Sequence, residues 1–219
     1  MNFKKFALPL LLVIMLGAIG LSYAWWTETL TINGTVNTGE LTVKMGNFGE
    51  AFWQHIWFAD VSAHVTTDYA ILDNGYTVSV TLGNYYPGAM VRFNVPIKNV
   101  GTIPAVISSV ELTVTSDPGG LKDYIYTRSW VRHYDKDGNR IWDSGWPAFV
   151  PLEQLDDQIY GQLAGRVLKP GEIFFFGEDP ESQNEGCLYF GLENTAPNST
   201  EGQTITFTLT FIFKQWNAP

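Results

Sequence analysis

Asp135, Asp137 and Asn139 carry oxygen-bearing side chains at every second position, which is typical of the first half of a calcium-binding EF-hand loop. The second half departs from that pattern, because Arg140 stands where the loop needs glycine and Trp146 stands where it needs a bidentate glutamate. A tight turn between two short strands accounts for the same residues, since Asp, Asn and Gly are turn formers. We therefore predict a β-hairpin here, with a calcium site on Asp135, Asp137 and Asn139 as the alternative.

Zinc hydrolysis and nucleophilic catalysis are the other chemistries to consider. The three histidines, His55, His64 and His133, form no His-Glu-x-x-His pattern, although with an acid such as Asp60 they could gather around a metal ion. The chain has no Gly-x-Ser-x-Gly pattern, and its single cysteine, Cys187, excludes an intrachain disulfide and any cysteine-based zinc cluster. We expect dispersed histidines, a buried Cys187, no catalytic residue and no cofactor beyond the calcium alternative.

The charge balance bears on the partners of the protein. Lys and Arg total 13 against 22 Asp and Glu, so the net charge is −9, and such a chain is repelled by nucleic acids and anionic membrane surfaces. Four acids crowd into one short stretch: Glu178, Asp179, Glu181 and Glu185. We interpret that stretch as a solvated loop, with a low-affinity cation patch or a lateral protein contact as the alternative.

Aromatic residues also cluster in one short stretch of the chain. Its members are Phe52, Trp53, Trp57 and Phe58. We interpret them as part of the core or of a protein contact, because aromatic patches are common at permanent interfaces. A stacking platform for sugars is the alternative.

The N-terminus has the pattern of a targeting segment. Two lysines precede the apolar run 6–21, and the small residues Ser22 and Ala24 follow it at the spacing that a signal peptidase recognises. We predict a secretory signal peptide over residues 1–24, with cleavage between Ala24 and Trp25. An uncleaved membrane anchor is the alternative, because the run is close to the length that crosses a bilayer.

Export of the chain would determine whether its sequons can be glycosylated and where the protein is located. Two Asn-x-Thr sequons begin at Asn33 and Asn198, and both would be accessible to glycosylation outside the cytoplasm. We predict an extracellular or cell-surface protein that meets the membrane only through its signal segment during export.

The remainder of the chain shows the period-two alternation of β-strands. In the last segment, Ile205, Phe207, Leu209, Phe211 and Phe213 alternate with four threonines, which predicts one buried and one solvated face. Four more segments alternate in the same way: Leu41–Met45, Tyr76–Leu82, Val91–Ile97, and Val106–Val114 with Val106, Ser108 and Val110 on one face. Proline- and glycine-rich turns separate them. We predict an all-β fold, an antiparallel β-sandwich.

One short helix interrupts this pattern. Leu152, Leu155, Ile159 and Leu163 fall on one stripe, which predicts a helix over 152–164. No linker or internal repeat divides the chain, so we predict a single sandwich domain over residues 38–219, with insertions at about 46–74 and 121–165.

The segment 25–37 is a strand-like stretch close to the free end of the exported chain. Trp26, Leu30, Ile32 and Val36 alternate with polar residues, and a turn at Asn37 separates them from the next strand. A terminal strand of this kind can complete either its own sandwich or that of a neighbour. Burial of these four side chains contributes roughly 2 kcal/mol each, enough to stabilise a subunit contact.

Several stretches resemble the TasA/camelysin family of biofilm matrix fibre proteins, and resemble even more the archaeal bundling-pilus subunits related to that family. These stretches are Ala24–Leu41 (AWWTETLTINGTVNTGEL), Tyr86-Pro87-Gly88, Val95–Ala105 (VPIKNVGTIPA), Leu168–Glu172 (LKPGE), Thr204–Thr210 (TITFTLT) and Phe213–Trp216 (FKQW). They follow one another in the order found in the family and cover about half of the chain, whereas the two predicted insertions match nothing in it.

The resemblance implies a jelly-roll sandwich that polymerises outside the cell. In such fibres the N-terminal strand of one subunit inserts into a groove of the next, so the protein's partner would be another copy of itself, with lateral bundling of filaments as a further expectation. On this basis Trp26, Leu30, Ile32 and Val36 become donor-strand residues, and the protein is not expected to be an enzyme. Two alternatives stay open: a monomeric carbohydrate-binding sandwich at the cell surface, and a secreted zinc metallopeptidase, the label that camelysin-type relatives carry.

Overall fold

The computed structural model describes residue 15 and residues 39–46, 57–72, 75–177 and 187–217, with only the backbone of Trp57 and Ala59. The chain divides into two units at Gly39, and the fold below belongs to the second, Gly39–Pro219. The predicted donor strand 25–37 lies outside the described residues, as does the predicted signal segment apart from residue 15. In the described ranges, no helix is both long and apolar enough to cross a membrane.

The described chain folds as an antiparallel β-sandwich with one short α-helix, which confirms the predicted fold class. Its strands are β1 Val43–Met45, β2 Trp57–Ala59, β3 Thr66–Ile71, β4 Thr77–Tyr85, β5 Met90–Asn99, β6 Ala105–Ser116, β7 Ile125–Ser129, β8 Arg132–Tyr134, β9 Arg140–Asp143, β10 Val150–Pro151, β11 Val167–Leu168, β12 Ile173–Phe176, β13 Leu188–Leu192 and β14 Gln203–Gln215. The helix α1 spans Leu155–Leu163, and 3₁₀ turns span Leu121–Asp123, Leu152–Gln154 and Asn198–Thr200.

Strand β5 is the centre of the first sheet, whose order is β10-β7-β13-β5-β12-β8-β9. On the side of β5 away from β12 and β13, β1 pairs near Asn99 and β2 pairs near Phe93. Pro96 falls between these two pairings, where its missing N–H costs no ladder hydrogen bond and its carbonyl accepts from Gly46 N at 3.1 Å. The interruption between β1 and β2 therefore explains how a central strand tolerates a proline.

The second sheet has the order β11-β6-β14-β4-β3. Threonines cover its outer face, with hydroxyl contacts between Thr77 and Thr210 at 3.0 Å and between Thr81 and Thr206 at 3.1 Å. Apolar residues of β4 and β14 form its inner face and are fully buried: Val78, Val80, Leu82, Ile205, Phe207, Leu209 and Phe211. The predicted division of β14 into a buried and a solvated face is therefore confirmed.

Aromatic rings join the two sheets in the core. The ring centroids of Phe190 and Phe207 are 5.2 Å apart.

Strand β6 departs from the predicted alternation. Its pairing with β14 shifts between Ile212 and Phe213, which is a β-bulge. Ile107 is buried and Ser108 is exposed, so the prediction that Val106 and Ser108 share the inner face with Val110 is wrong.

The helix follows the 3₁₀ turn directly, which confirms the helix predicted over 152–164. Its apolar stripe, Leu155, Ile159 and Leu163, is fully buried. The segment around it, however, is not an insertion as predicted from the sequence. The strands β7, β8, β9 and β10, which lie within residues 121–165, belong to the first sheet, and α1 packs against β6 and β7.

Candidate functional site

The two long edges of the sandwich differ in how they are covered. At one edge, α1 packs against β6 of the second sheet and β7 of the first. At the opposite edge, β2 and β3 are the last strands of the two sheets among the described residues, and apolar side chains between them are partly exposed. We call this the open edge and define it by Phe58 on β2 and by Tyr69 and Ile71 on β3.

Tyr69 and Ile71 point from β3 into the sandwich. Their register partners on β4 are buried core valines, and the ring centroid of Tyr69 lies 6.2 Å from that of Phe58 and 6.3 Å from that of Phe93. Nevertheless, Tyr69 and Ile71 are each 36% exposed. The open edge therefore presents apolar surface on the side of the sheet that is normally the core.

The backbone of β3 is also available for pairing. Leu72 N donates to Thr77 O at 2.9 Å, and hydrogen bonds alternate along an antiparallel pair, so the odd-numbered residues of β3 direct their N–H and C=O groups away from β4. The carboxylate of Asp68 accepts from Tyr69 N at 2.8 Å, but no strand in the described ranges pairs with this side of β3. Its sequence, TTDYAI, contains no lysine or proline, and its pairing has no bulge, so Asp68 supplies the one charge on this edge.

A second opening lies where β4 stops short of β14. Phe211 N donates to Tyr76 O at 2.9 Å, while β14 continues to Gln215 beyond the start of β4. A cleft of about 170 Å³ opens there, which we call the end cleft, lined by Leu41, Val43, Tyr76, Phe211, Ile212 and Phe213. The end cleft is therefore a second apolar surface on which a strand could dock.

A third group of side chains, which sequence reasoning missed, lies on the outer face of the first sheet. The register places Arg92, Tyr189 and Arg128 in one row across β5, β13 and β7. The rings of Trp146 and Phe149 lie 4.0 and 4.3 Å from the guanidinium carbon of Arg128. These five residues, the outer-face patch, come from distant parts of the chain, and only the strand register brings them together.

The loop with the calcium-like spacing forms the turn of the β8–β9 hairpin, which confirms the predicted hairpin. The carboxylate of Asp135 accepts from Asp137 N at 2.9 Å and from Asn139 N at 2.8 Å. Hydrogen bonds from the side chain and backbone of Asn139 lower the pKa of Asp135 below its usual value. The carboxylate is thus engaged within its own turn.

The histidines occupy different environments. His64 is exposed, and its φ of 71° lies in the left-handed region. His133 is buried, with its Nε2 2.9 Å from Glu172 Oε2; burial, with the charges of Arg166 and Lys169, lowers its pKa although Glu172 acts to raise it. Among the described side chains, no three His, Cys, Asp or Glu residues lie close enough to hold a metal ion, and His55 lies outside them.

The other candidate residues are placed as follows. Cys187 is 1% exposed, as predicted for a buried cysteine, and Asn198 is exposed in its 3₁₀ turn. Asp60 forms an ion pair with Arg92 at 3.2 Å, and Phe58 stacks on Phe93 with centroids 4.8 Å apart. The sequon at Asn33, the aromatic residues Phe52 and Trp53, and the acidic stretch 178–185 lie outside the described residues.

Comparisons with known proteins identify no relative. No protein-family model matches the chain, and neither the curated proteins nor the solved structures give a match. The resemblance to the TasA/camelysin family therefore stays a prediction from the sequence, and the function is argued from the geometry.

Proposed function

We propose that the protein is an exported structural subunit that polymerises into extracellular fibres, and that the terminal strand of one subunit docks on the open edge of the next. The observation that carries this proposal is the edge of β3, with which no described strand pairs and where two inward-facing apolar side chains, Tyr69 and Ile71, are each 36% exposed. An exposed strand edge above a partly solvated core is the surface to which an added strand binds in β-augmentation.

The predicted donor strand matches β3 in length and pattern. Strand β3 has six residues, or about 20 Å at roughly 3.3 Å per residue, and the stretch 30–36 is of similar length. Leu30, Ile32 and Val36 occupy even-numbered positions and therefore share one face of an extended strand. A strand seated on β3 with that face inward would cover Tyr69 and Ile71.

The energies of the contact are adequate for stable assembly. The three apolar side chains of the stretch 30–36, Leu30, Ile32 and Val36, contribute roughly 2 kcal/mol each when buried, or about 6 kcal/mol. Pairing with β3 adds about 1 kcal/mol per backbone hydrogen bond. Association and ordering cost about 4–15 kcal/mol, so both contributions are needed for a tight contact.

The same strand docking on its own subunit would instead give a monomer, the state expected of a surface carbohydrate-binding sandwich. Mixing two singly substituted proteins separates these outcomes, because a cross-link between them is necessarily intermolecular. We expect Ile32→Cys to form a disulfide-linked dimer with Ile71→Cys and not with Ile141→Cys, a matched control at an exposed isoleucine on β9. The native cysteine is buried and should not interfere.

The cross-linking also tests the end cleft. If Ile32→Cys links to Phe213→Cys in place of Ile71→Cys, the strand docks in the end cleft, and the assignment to β3 is wrong. If neither partner is linked and electron microscopy shows no filaments of the exported chain, the proposed polymerisation is wrong.

A further inference from the structure

Arg128 differs from the other arginines on the strands of the first sheet, which form ion pairs. Arg92 forms an ion pair with Asp60 at 3.2 Å, and Arg132 and Arg140 both pair with Asp143. For Arg128, the described residues provide neither an ion pair nor a hydrogen bond, and aromatic rings surround its guanidinium carbon. In a chain of net charge −9, an arginine without an acidic neighbour calls for an explanation.

The charge of Arg128 is therefore not neutralised locally. Burial and the nearby charge of Arg92 lower the pKa of Arg128, but an arginine remains protonated at physiological pH. Its Nε atom is buried without a hydrogen-bond partner among the described residues, and the same holds for Arg92 Nε. Buried donors of this kind are rare in folded proteins unless a ligand or water satisfies them.

Asn94 lies on the same face as the outer-face patch but is not part of it. Its side chain is fully buried, yet neither its amide nitrogen nor its amide oxygen has a partner among the described residues. Asn94 follows Arg92 by two positions in β5, so both side chains leave the sheet on the same outer face. Because Asn94 has no exposed surface, it cannot reach a bound ligand, and no role in binding is assigned to it.

The aromatic part of the outer-face patch is partly open to solvent and held in place. Phe149 is 46% exposed, and its ring lies 5.1 Å from that of Tyr126 and 5.2 Å from that of Tyr189. The ring of Tyr126 lies across Gly191, where a Cβ would collide with it. The exposed ring of Phe149 is therefore held in place next to a cation.

These observations together specify the ligand's chemistry. A guanidinium surrounded by aromatic rings uses its N–H edge, which matches a carboxylate. The exposed ring of Phe149 favours a ring-shaped ligand with an apolar side, such as a sugar. An acidic peptide would use the arginine but would leave the exposed ring of Phe149 without a specific role.

We propose that the outer-face patch binds carboxylate-bearing saccharides: Arg128 takes the carboxylate, and the exposed ring of Phe149 stacks on the sugar ring. The site is on the outer face of the first sheet, whereas the open edge lies between the sheets at β2 and β3. The saccharide site is therefore independent of the proposed polymerisation.

Calorimetric titration of the purified protein with a short oligomer of galacturonic acid tests this proposal. The methyl-esterified oligomer is the matched neutral probe, and polyglutamate is the acidic peptide probe. We expect the acidic oligosaccharide to bind and its methyl ester to bind about tenfold more weakly or less, because esterification removes the charge-assisted hydrogen bonds. Equal binding of the ester, equal binding of polyglutamate, or no detectable binding of the acidic oligosaccharide would overturn the proposal.

Variants of the protein locate the site. Arg128→Gln and Arg128→Lys should each weaken binding about tenfold, the latter because lysine keeps the charge but loses the planar donor edge. Phe149→Ala tests the stacking surface at an exposed position. Arg140→Gln, at an arginine whose side chain is 54% exposed on β9, should bind as the unchanged protein does. Thermal unfolding of each variant checks that it is folded, and undiminished binding by folded Arg128→Gln would contradict the assignment.

Discussion

The substitution Ile71→Lys should raise the critical concentration for filament formation about a hundredfold. Ile71 is 36% exposed. About a third of the roughly 2–3 kcal/mol that full burial of an isoleucine contributes, or about 1 kcal/mol, therefore remains to be gained when a strand docks. A lysine would instead have to be desolvated against Leu30 and Ile32, at a further cost of about 2 kcal/mol. The sum, about 3 kcal/mol, corresponds to a roughly hundredfold weaker contact.

Sedimentation of filaments over a range of protein concentrations, with electron microscopy of the pellets, measures this effect. Ile141→Lys is the matched control, because Ile141 is 51% exposed on β9, away from the open edge. Thermal unfolding of both monomers establishes that the sandwich is intact. Polymerisation of Ile71→Lys at the concentration that suffices for the unchanged protein would refute the reasoning, and so would an equal defect in Ile141→Lys.

Three further predictions concern stability and metal binding. Because burial lowers the pKa of His133 despite Glu172, the unfolded chain binds this proton at a higher pH than the folded chain does. Urea titrations should therefore show a free energy of unfolding that is full above about pH 6.5 and falls below it, with a smaller fall in His133→Gln. Phe207→Ala empties a fully buried site and should cost about 3–5 kcal/mol in the same titration, whereas exposed Trp216→Ala should change little. Asp135→Ala should lower the melting temperature by loosening the β8–β9 turn; a rise in melting temperature with Ca²⁺ that Asp135→Ala abolishes would support the calcium alternative instead.

The sequence was most informative where one strand or helix buries one clear face. The alternation in β14 and the stripe of α1 predict both elements, because burial of one face requires the period that each element has. The inner face of β6 was predicted wrongly, because the bulge near Ser108 inserts one residue and reverses the alternation of buried and exposed side chains. No residue type in that stretch indicates a bulge.

Features that depend on tertiary register could not be predicted. The stretch TTDYAI looks like an ordinary strand, and its exposed edge emerges only from its place at the end of the second sheet. Arg92, Arg128 and Tyr189 lie far apart in the chain and become neighbours through pairing of β5, β13 and β7. The turn at Asp135, by contrast, could be predicted from local spacing, because the hydrogen-bond partners of its carboxylate lie within four residues.

A density map of the assembled filament tests the central claim most directly. The proposal predicts that Leu30 and Ile32 of one subunit lie against Tyr69 and Ile71 of the next, with backbone hydrogen bonds between the inserted strand and β3. A map in which those leucine and isoleucine side chains pack inside their own subunit, while the edge of β3 stays solvated, would contradict it.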